Sequence, residues 1–253
     1  MCYDIKASLE AQLKRAERLG DLKAIDEIIE KLAPLTDLPL HHVSGFSHPE
    51  ILIYTDRSPN YPEVATWGLV PSWVTHEEQL KKIWNSTLNA RGETIFEKAS
   101  FREAAKHNRC IIYIDGFYEH HHFKGKTYPY FIKNKNNEPL ALAGLYTEYT
   151  NNKGGKMVTF TIVTTKGNSL LKRIHNNPKL EGPRMPFILS KEIENDWLNT
   201  EIGAELINQT LELIQEYPTD KLTAHTVNRI RGKSYLGNVP EISAHFEYEE
   251  LEF

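Results

Sequence analysis

The residue with the most distinctive chemistry in this sequence is Cys2, which directly follows Met1. If Met1 is removed, as expected when a small residue follows it, Cys2 carries a free α-amine beside its thiol. Such a 1,2-aminothiol condenses with an aldehyde through the amine and closes through the thiol into a stable thiazolidine ring. The reference pKa of an α-amino group is roughly 7.7–8.0, so a usable fraction is neutral near pH 7. The alternative is that Cys2 is only a small residue at the start of the chain.

Two further residues are candidates for proton transfer. Glu119 ends the segment DGFYE, which follows a strongly apolar strand. A carboxylate at a strand end among aromatic residues tends to have a raised pKa and can act as a proton donor, but it can equally be a hydrogen-bonded structural anchor. His175 lies in a polar loop after Leu170 and Leu171. It is a candidate general base or hydrogen-bond donor, and the alternative is an ordinary loop histidine.

Two other motifs are candidates for ligand binding. In the loop NARGE, Asn89 and Gly92 flank Arg91, a residue suited to a phosphate because a guanidinium meets two oxygens at once. The alternative there is a surface pair between Arg91 and Glu93. The motif WGLVPSW, from Trp67 to Trp73, offers an aromatic and backbone platform for a flat ligand such as a base. Its alternative is a strand and turn with both indoles in the core.

Metal sites and disulfides are not indicated by the sequence. Cys2 and Cys110 are the only cysteines, and they lack the CxxC spacing of a structural zinc site. The run His120 to His122 is a poor metal site, because consecutive side chains in a strand point to opposite faces. We therefore expect neither a metal nor a cofactor.

The elements around these residues predict an α+β fold. Five apolar segments rich in β-branched and aromatic residues are typical of strands, and they lie at Ile51–Tyr54, Arg109–Ile114, Tyr130–Lys133, Leu140–Tyr146 and Thr159–Thr165. The stretch from Asn151 to Gly155 predicts a hairpin turn between the last two. Regular alternation of strands and helices is missing, which disfavours a doubly wound sheet.

Helices are predicted mainly at the two ends of the chain. Residues 6–33 carry apolar residues at helical spacing, with a break at Gly20 and Asp21 as cap of a second helix. The charged residues of this region, including Arg15 and Arg18, are expected to form a solvated outer face. Further helices are predicted at Lys191–Trp197 and Ile202–Gln215.

Composition and net charge limit the class of protein, the number of domains and the way it could bind nucleic acid. With 253 residues, 40% hydrophobic and 25% charged, the chain is an ordinary globular one, and nothing marks a second domain. A mean hydropathy of −0.49 and the absence of a long apolar run or leader predict a cytoplasmic protein with no membrane span. A net charge of −4 argues against binding nucleic acid by bulk charge, but it leaves room for a local basic groove.

Taken together and in order, these motifs resemble the SRAP (SOS-response-associated peptidase) family. The resemblance rests on Cys2, WGLVPSW, NARGE, RCIIYIDGFYE, AGLY at 143–146, FTIVTT at 159–164, His175 and RMPFIL. It implies one domain over residues 1–253, with a distorted barrel-like mixed sheet flanked by helices, a helical insertion at 6–33 and a C-terminal tail at 236–253.

The resemblance also implies a function in the response to DNA damage. Family members act on abasic sites in single-stranded DNA, where the N-terminal cysteine forms a thiazolidine crosslink that shields the lesion. By match, Cys2 is the nucleophile, Asn89 hydrogen-bonds the ring, Glu119 is the acid/base and His175 assists Schiff-base formation. Arg91 and Arg184 would hold phosphates, with Trp67, Pro71, Ser72 and Trp73 forming a wall for bases. A monomer that becomes nucleoid-associated on damaged DNA is implied.

Four departures from the family pattern are visible, and two of them are the longer helical stretch at 6–33 and His120 where Trp is usual. Tyr3 and Asp4 follow Cys2 where Gly and Arg are usual, and eight residues separate His175 from Arg184. Two other functions compete with the crosslinker. A cysteine peptidase, as the family name suggests, would need a Cys–His pair and an oxyanion hole. A non-catalytic module would bind single-stranded or modified DNA through aromatic residues and arginines.

Overall fold

Five strands close into a barrel at the centre of the molecule. The structure, a computed structural model, describes residues 2–151, 154–201 and 217–251. Its strands are β1 (Asp4–Ala7), β2 (Leu40–Ser44), β3 (Glu50–Thr55), β4 (Glu63–Trp67), β5 (Asn89–Arg91), β6 (Arg109–Ile114), β7 (Gly116–Phe123), β8 (Lys126–Asn134), β9 (Leu140–Thr150), β10 (Lys156–Lys166), β11 (Arg184–Pro186), β12 (Ile188–Leu189) and β13 (Leu222–Thr226). The barrel runs β10–β4–β3–β6–β9 and returns to β10. Only its β10–β4 pairing is parallel.

Three short strands extend the barrel sheet, since β5 and β11 pair with β10 and β12 pairs with β9. A second, antiparallel sheet has the order β13–β8–β7–β1–β2. One hydrophobic cluster joins the two sheets, with Ile5 and Phe117 from the second sheet beside Ile51 and Ile112 from the barrel. This shared core confirms the predicted α+β single domain with a barrel-like mixed sheet.

The α-helices of the described residues are α1 (Leu9–Leu19), α2 (Leu22–Glu27), α3 (Glu77–Ile83), α4 (Arg102–His107), α5 (Ser169–Ile174) and α6 (Glu194–Leu198). The prediction of one helical region from residue 6 was wrong at its start, because residues 4–7 form β1 between β2 and β7. Ser8 then caps α1 by accepting from the Ala11 N–H. The predicted break is confirmed, since Gly20 ends α1 at φ 71° and the Asp21 side chain caps α2.

The expectation of a solvated charged face on α1 was also wrong for Arg15, whereas Arg18 is exposed. Arg15 is buried, and its guanidinium contacts Glu194 Oε2 at 3.0 Å. Arg18 contacts the same oxygen at 2.9 Å. Glu194, at the start of α6, is itself buried, so the helical segment is docked on the domain by an internal ion-pair cluster.

The five predicted strands are present as β3, β6, β8, β9 and β10, several of them longer than expected. β9 and β10 form the predicted hairpin, closed by the Asn151 N–H donating to Gly155 O at 2.9 Å. The predicted helix at 191–197 corresponds to α6, whereas the one at 202–215 lies outside the described residues. Within the residues that are described, no helix has the length and apolar character needed to cross a bilayer.

The expected C-terminal tail packs against the domain along residues 240–251. Ile242 is buried, and His245 forms a bridge with Val227. Further along, Tyr248 contacts Tyr128 of β8 edge-to-face, and Glu250 accepts hydrogen bonds from Lys126 and Tyr128.

Candidate active site

A cleft of about 510 Å³ opens at one end of the second sheet. Its walls come from the residue before β1, the β7–β8 hairpin, the loop after α5 and the segment that follows β13. The residues that matter for chemistry there are Tyr3, Glu119, His120, His175, Arg229 and Arg231. Two of the four predicted catalytic residues, Glu119 and His175, therefore line one cavity.

Cys2 lies in the core directly behind this cleft. It is fully buried, next in the chain to Tyr3 of the cleft wall. Burial raises the pKa of the Cys2 thiol well above its ordinary value, and the nearby Glu119 charge raises it further. The thiol is therefore protonated at neutral pH, and Glu119 is close enough to act on it electrostatically.

Asn89 holds the backbone of the candidate nucleophile. It begins β5, whose parallel pairing with β10 places Asn89 opposite Ile162. Its side-chain amide donates to Cys2 O at 2.8 Å. Its Oδ1 atom is buried and accepts no hydrogen bond from the residues described. The amide thus fixes the position of Cys2 and presents an acceptor in the same place.

Glu119 is a buried carboxyl on β7. The β1–β7 pairing ends at Asp4 and Tyr118, so the segment that carries Cys2 leads directly into a strand paired with β7. Burial raises the pKa of Glu119 to about 7, and the Asp4 charge acts in the same direction. Near neutral pH the carboxyl is present in both protonation states, as a combined acid and base requires.

His175 immediately follows α5, whose residues Leu171 and Ile174 anchor it in the core. Burial lowers the pKa of His175 to about 4, so the ring is neutral. Its Nδ1 atom lies 3.1 Å from Arg184 O, the shortest hydrogen-bond contact of the ring with the described residues, which favours a proton on Nδ1 and a lone pair on Nε2. Nδ1 and Glu119 Oε1 are 3.7 Å apart, too far for a hydrogen bond.

The eight residues between His175 and Arg184 form a loop that leaves the site and returns to it. Asn176 ties its beginning to β7, accepting from the His122 N–H at 2.7 Å and donating to His122 O at 2.9 Å. At its end, the backbone of Arg184 meets the His175 ring. The insertion therefore leaves the His175–Arg184 neighbourhood intact.

The two predicted phosphate-binding arginines already have acidic partners. The Arg184 guanidinium binds Glu93 through two hydrogen bonds of 2.7 and 2.9 Å, and it also donates to Thr164 O. Although burial alone would raise the pKa of Glu93, the Arg184 hydrogen bonds hold it below its ordinary value. Arg91 is exposed and pairs with Glu181 at 3.3 Å. The alternative of an Arg91–Glu93 pair was wrong, because Glu93 faces Arg184.

The proposed wall for bases is divided between core and surface. Trp67 is fully buried, donates to Leu88 O at 2.8 Å and stacks on Phe160, so it has no ring face for a base. Pro71 is buried as well. Ser72 and Trp73 lie on the exposed turn that follows, and 46% of Trp73 is exposed. The alternative of an indole in the core therefore holds for Trp67, and of these four residues only Trp73 could stack on a base.

The three adjacent histidines make separate contacts. His121 Nδ1 lies 3.0 Å from Arg173 O, and the His122 backbone binds Asn176. Burial lowers the pKa of His120 to about 4. Across the described ranges, no three or more His, Cys, Asp or Glu side chains are grouped so that they could hold a metal ion.

Sequence reasoning missed several charged groups at the cleft. Asp4 is buried, with its carboxylate 2.6 Å from the Arg231 guanidinium and 3.1 Å from His42 Nε2. Arg229 and Arg231 both line the cavity. The Arg-Ile-Arg sequence at 229–231 is the signal that could have found them, because it places two cations on either side of one apolar residue.

Comparisons with known proteins place the chain in a family. The family model described as SOS response associated peptidase (SRAP) matches residues 30–233. Abasic site processing protein YoqW of Bacillus subtilis (strain 168) is 36% identical in an alignment 227 residues long that covers 86% of this chain and 93% of that protein.

Two further relatives extend this likeness. Abasic site processing protein HMCES of Rattus norvegicus is 32% identical in an alignment 206 residues long that covers 70% of this chain and 55% of that longer protein. A crystal structure of a protein from Bacteroides thetaiotaomicron superposes with a TM-score of 0.81 at 32% identity, covering 97% of this chain and all of the other. The chain therefore belongs to the SOS response associated peptidase (SRAP) family.

Proposed function

We propose that this protein binds abasic sites in single-stranded DNA and captures them covalently through Cys2 after removal of Met1. The observation that carries the proposal is the buried carboxyl of Glu119, with a pKa of about 7, between the Cys2 segment and a cleft that also contains His175 and two arginines. The names of the relatives, which describe abasic site processing, support the same substrate. The crosslink would shield the lesion during DNA repair.

The first step opens the sugar. In the closed form of an abasic deoxyribose, C1′ carries a hydroxyl and is bonded to the ring oxygen. Protonated Glu119 gives its proton to the ring oxygen as that bond breaks, and the proton of the C1′ hydroxyl leaves to a base. Neutral His175, with its lone pair on Nε2, is suited to accept it. The product is an aldehyde at C1′.

The second step forms the crosslink. The neutral amine of Cys2 adds to the aldehyde, and water leaves to give an imine. The thiol then adds across the C=N bond: a C–S bond forms and the thiol proton passes, through the Glu119 carboxylate, to the nitrogen. The sum is aldehyde plus aminothiol giving thiazolidine plus water. Asn89 holds Cys2 O, so the attacking residue keeps its position throughout.

A cysteine peptidase is less well supported by the same geometry. A peptidase nucleophile needs a lowered pKa or a histidine that takes its proton. Here the pKa of Cys2 is raised, and the described residues show no hydrogen bond between Cys2 and His175. A non-catalytic DNA-binding module would not need a buried carboxyl beside Cys2.

The test is a denaturing gel of untagged protein with a single-stranded oligonucleotide that carries one abasic site. We expect a shifted band that resists denaturation, requires the lesion and disappears with Cys2→Ala. Cys110→Ala, at the other buried cysteine, is the matched control and should keep the band. Absence of the band from protein whose mass shows that Met1 is gone would refute the proposal.

His175→Ala separates the chemistry from folding. We expect it to slow crosslinking by about 10²-fold or more, the usual contribution of a positioned acid or base, while the final yield stays the same. The time course at saturating protein measures this. An unchanged rate would remove His175 from the mechanism.

A further inference from the structure

Arg229 and Arg231 emerge into the cleft from either side of a buried residue. Ile230, between them, is 2% exposed and packs with Tyr118 and Phe131 in a small hydrophobic cluster. This anchor fixes the backbone of the segment, and both neighbouring guanidinium groups belong to the wall of the cavity that contains Glu119 and His175.

Arg231 is held on one side and open on the other. Its Nη2 atom donates to Asp4 Oδ2 at 2.6 Å, and Asp4 is only 3% exposed. The other Asp4 oxygen lies 3.1 Å from His42 Nε2, while His42 Nδ1 meets Tyr235 Oη at 2.8 Å. More than half of the Arg231 side chain, 57%, remains exposed. Since a guanidinium has five N–H donors, the contact with Asp4 orients it and leaves donors for a ligand.

Arg229 is fixed without a carboxylate. Its Nη1 atom donates to Thr127 O at 2.6 Å, and its guanidinium lies 5.7 Å from the ring centroids of Tyr128 and Tyr248. No carboxylate of the described ranges forms an ion pair with it. Arg91 and Arg184 differ in this respect, because each already pairs with a glutamate.

We propose that Arg229 and Arg231 bind phosphodiester groups of the damaged strand where it enters the cleft. The proposal rests on the proposed function and names the contacts that hold its substrate. A guanidinium fixed in place meets two phosphate oxygens at little cost in side-chain entropy, and these two line the same cavity as the carboxyl and imidazole of the site. They provide the local positive charge that an acidic protein needs to hold a polyanion.

Binding is measured with a single-stranded oligonucleotide that carries a tetrahydrofuran abasic analogue, which has no aldehyde and cannot crosslink. Dissociation constants of the wild type, Arg229→Gln and Arg231→Gln are determined over a series of salt concentrations. We expect each substitution to weaken binding about tenfold at low salt. The slope of log K against log salt should fall in magnitude by about 0.7 for each phosphate that the variant no longer neutralises. The same oligonucleotide without the lesion should show the same weakening, because phosphates are common to both.

Two controls separate binding from folding and from general charge. Arg231→Lys keeps the charge and should keep the wild-type slope. If Arg231 served only to pair with Asp4, neither Arg231→Gln nor Arg231→Lys would change the slope. Arg102→Gln, at an exposed position of α4 outside the cleft, removes the same charge and should leave the slope unchanged. Wild-type slopes in both cleft variants would overturn this inference even if the wild type crosslinks. A wild type that never crosslinks abasic DNA, yet shows these slopes, would refute only the proposed chemistry.

Discussion

Glu119 titrates in the range where the proposed chemistry has to work. Burial raises its pKa to about 7, while the reference pKa of an α-amino group is roughly 7.7–8.0. Ring opening needs the acid form of Glu119 and imine formation needs the neutral amine, so the wild-type rate should be bell-shaped, with its maximum between the two values. In Glu119→Gln the rate should fall by about 10²–10⁴-fold and lose the descending alkaline limb. Single-turnover rates of the wild type and the variant from pH 5.5 to 9 measure both pH profiles. If the alkaline limb persists in Glu119→Gln, the limb reports the titration of a group other than Glu119.

Deprotonation of the same carboxyl lowers the free energy of unfolding as the pH rises. Its pKa is raised in the folded state, so the folded protein holds a proton that the unfolded chain releases, and the associated stability is lost as pH rises from about 4.5 through about 7. Above pH 7 a buried charge replaces the neutral acid. The unfolding free energy of wild type relative to Glu119→Gln should therefore decrease by about 3 kcal/mol between pH 5 and pH 8. Denaturant titrations at the two values test this, and a difference independent of pH would contradict the raised pKa.

At the scale of elements, the loop after α5 is held to β7 by one side chain. Asn176 is exposed, yet it makes two hydrogen bonds with the backbone of His122 and follows His175 directly. In Asn176→Ala we expect crosslinking to slow about tenfold, because a small displacement of His175 is costly, while the thermal midpoint stays nearly unchanged. Asn176→Asp retains the acceptor and should be intermediate. Asn60→Ala, in the exposed turn before β4, is the control. Equal rates in all three variants would show that the loop keeps its position without the Asn176 side chain.

Much of this element structure could be predicted from the sequence, because short-range patterns determine it. The apolar run of β6 and the hairpin between β9 and β10 follow from residue types and turn chemistry. The start of α1 could not be predicted, since Ile5 and Ala7 suit either a helix or a strand and only pairing with β7 decides between them. The burial of Arg15 and the Asp4–Arg231 pair also escaped, because each depends on a partner more than 170 residues away.

At the scale of the whole molecule, one buried carboxylate joins the N-terminal helical segment to the rest of the domain. Glu194 of α6 accepts from Arg15 and Arg18 of α1 and from Tyr113 of the barrel, all within 3.0 Å. Because Arg15 is as buried as its partner, removing the carboxylate leaves a charge without compensation in the interior. A helical segment that only lay on the surface would not depend on a buried ion pair.

Glu194→Ala should therefore destabilise the protein by about 3–5 kcal/mol, which lowers the thermal midpoint by roughly 6–20 °C for a chain of this size. Lys14→Ala is the matched control on the same helix. Its ion pair with Glu138 is exposed and should contribute less than about 1 kcal/mol. Since Glu194 lies outside the cleft, the crosslinking rate of folded Glu194→Ala at 20 °C should equal that of the wild type. A midpoint shifted no more than that of Lys14→Ala would mean that the helical segment is held by its apolar contacts alone. A slower rate at full folding would mean instead that the segment also positions the active site.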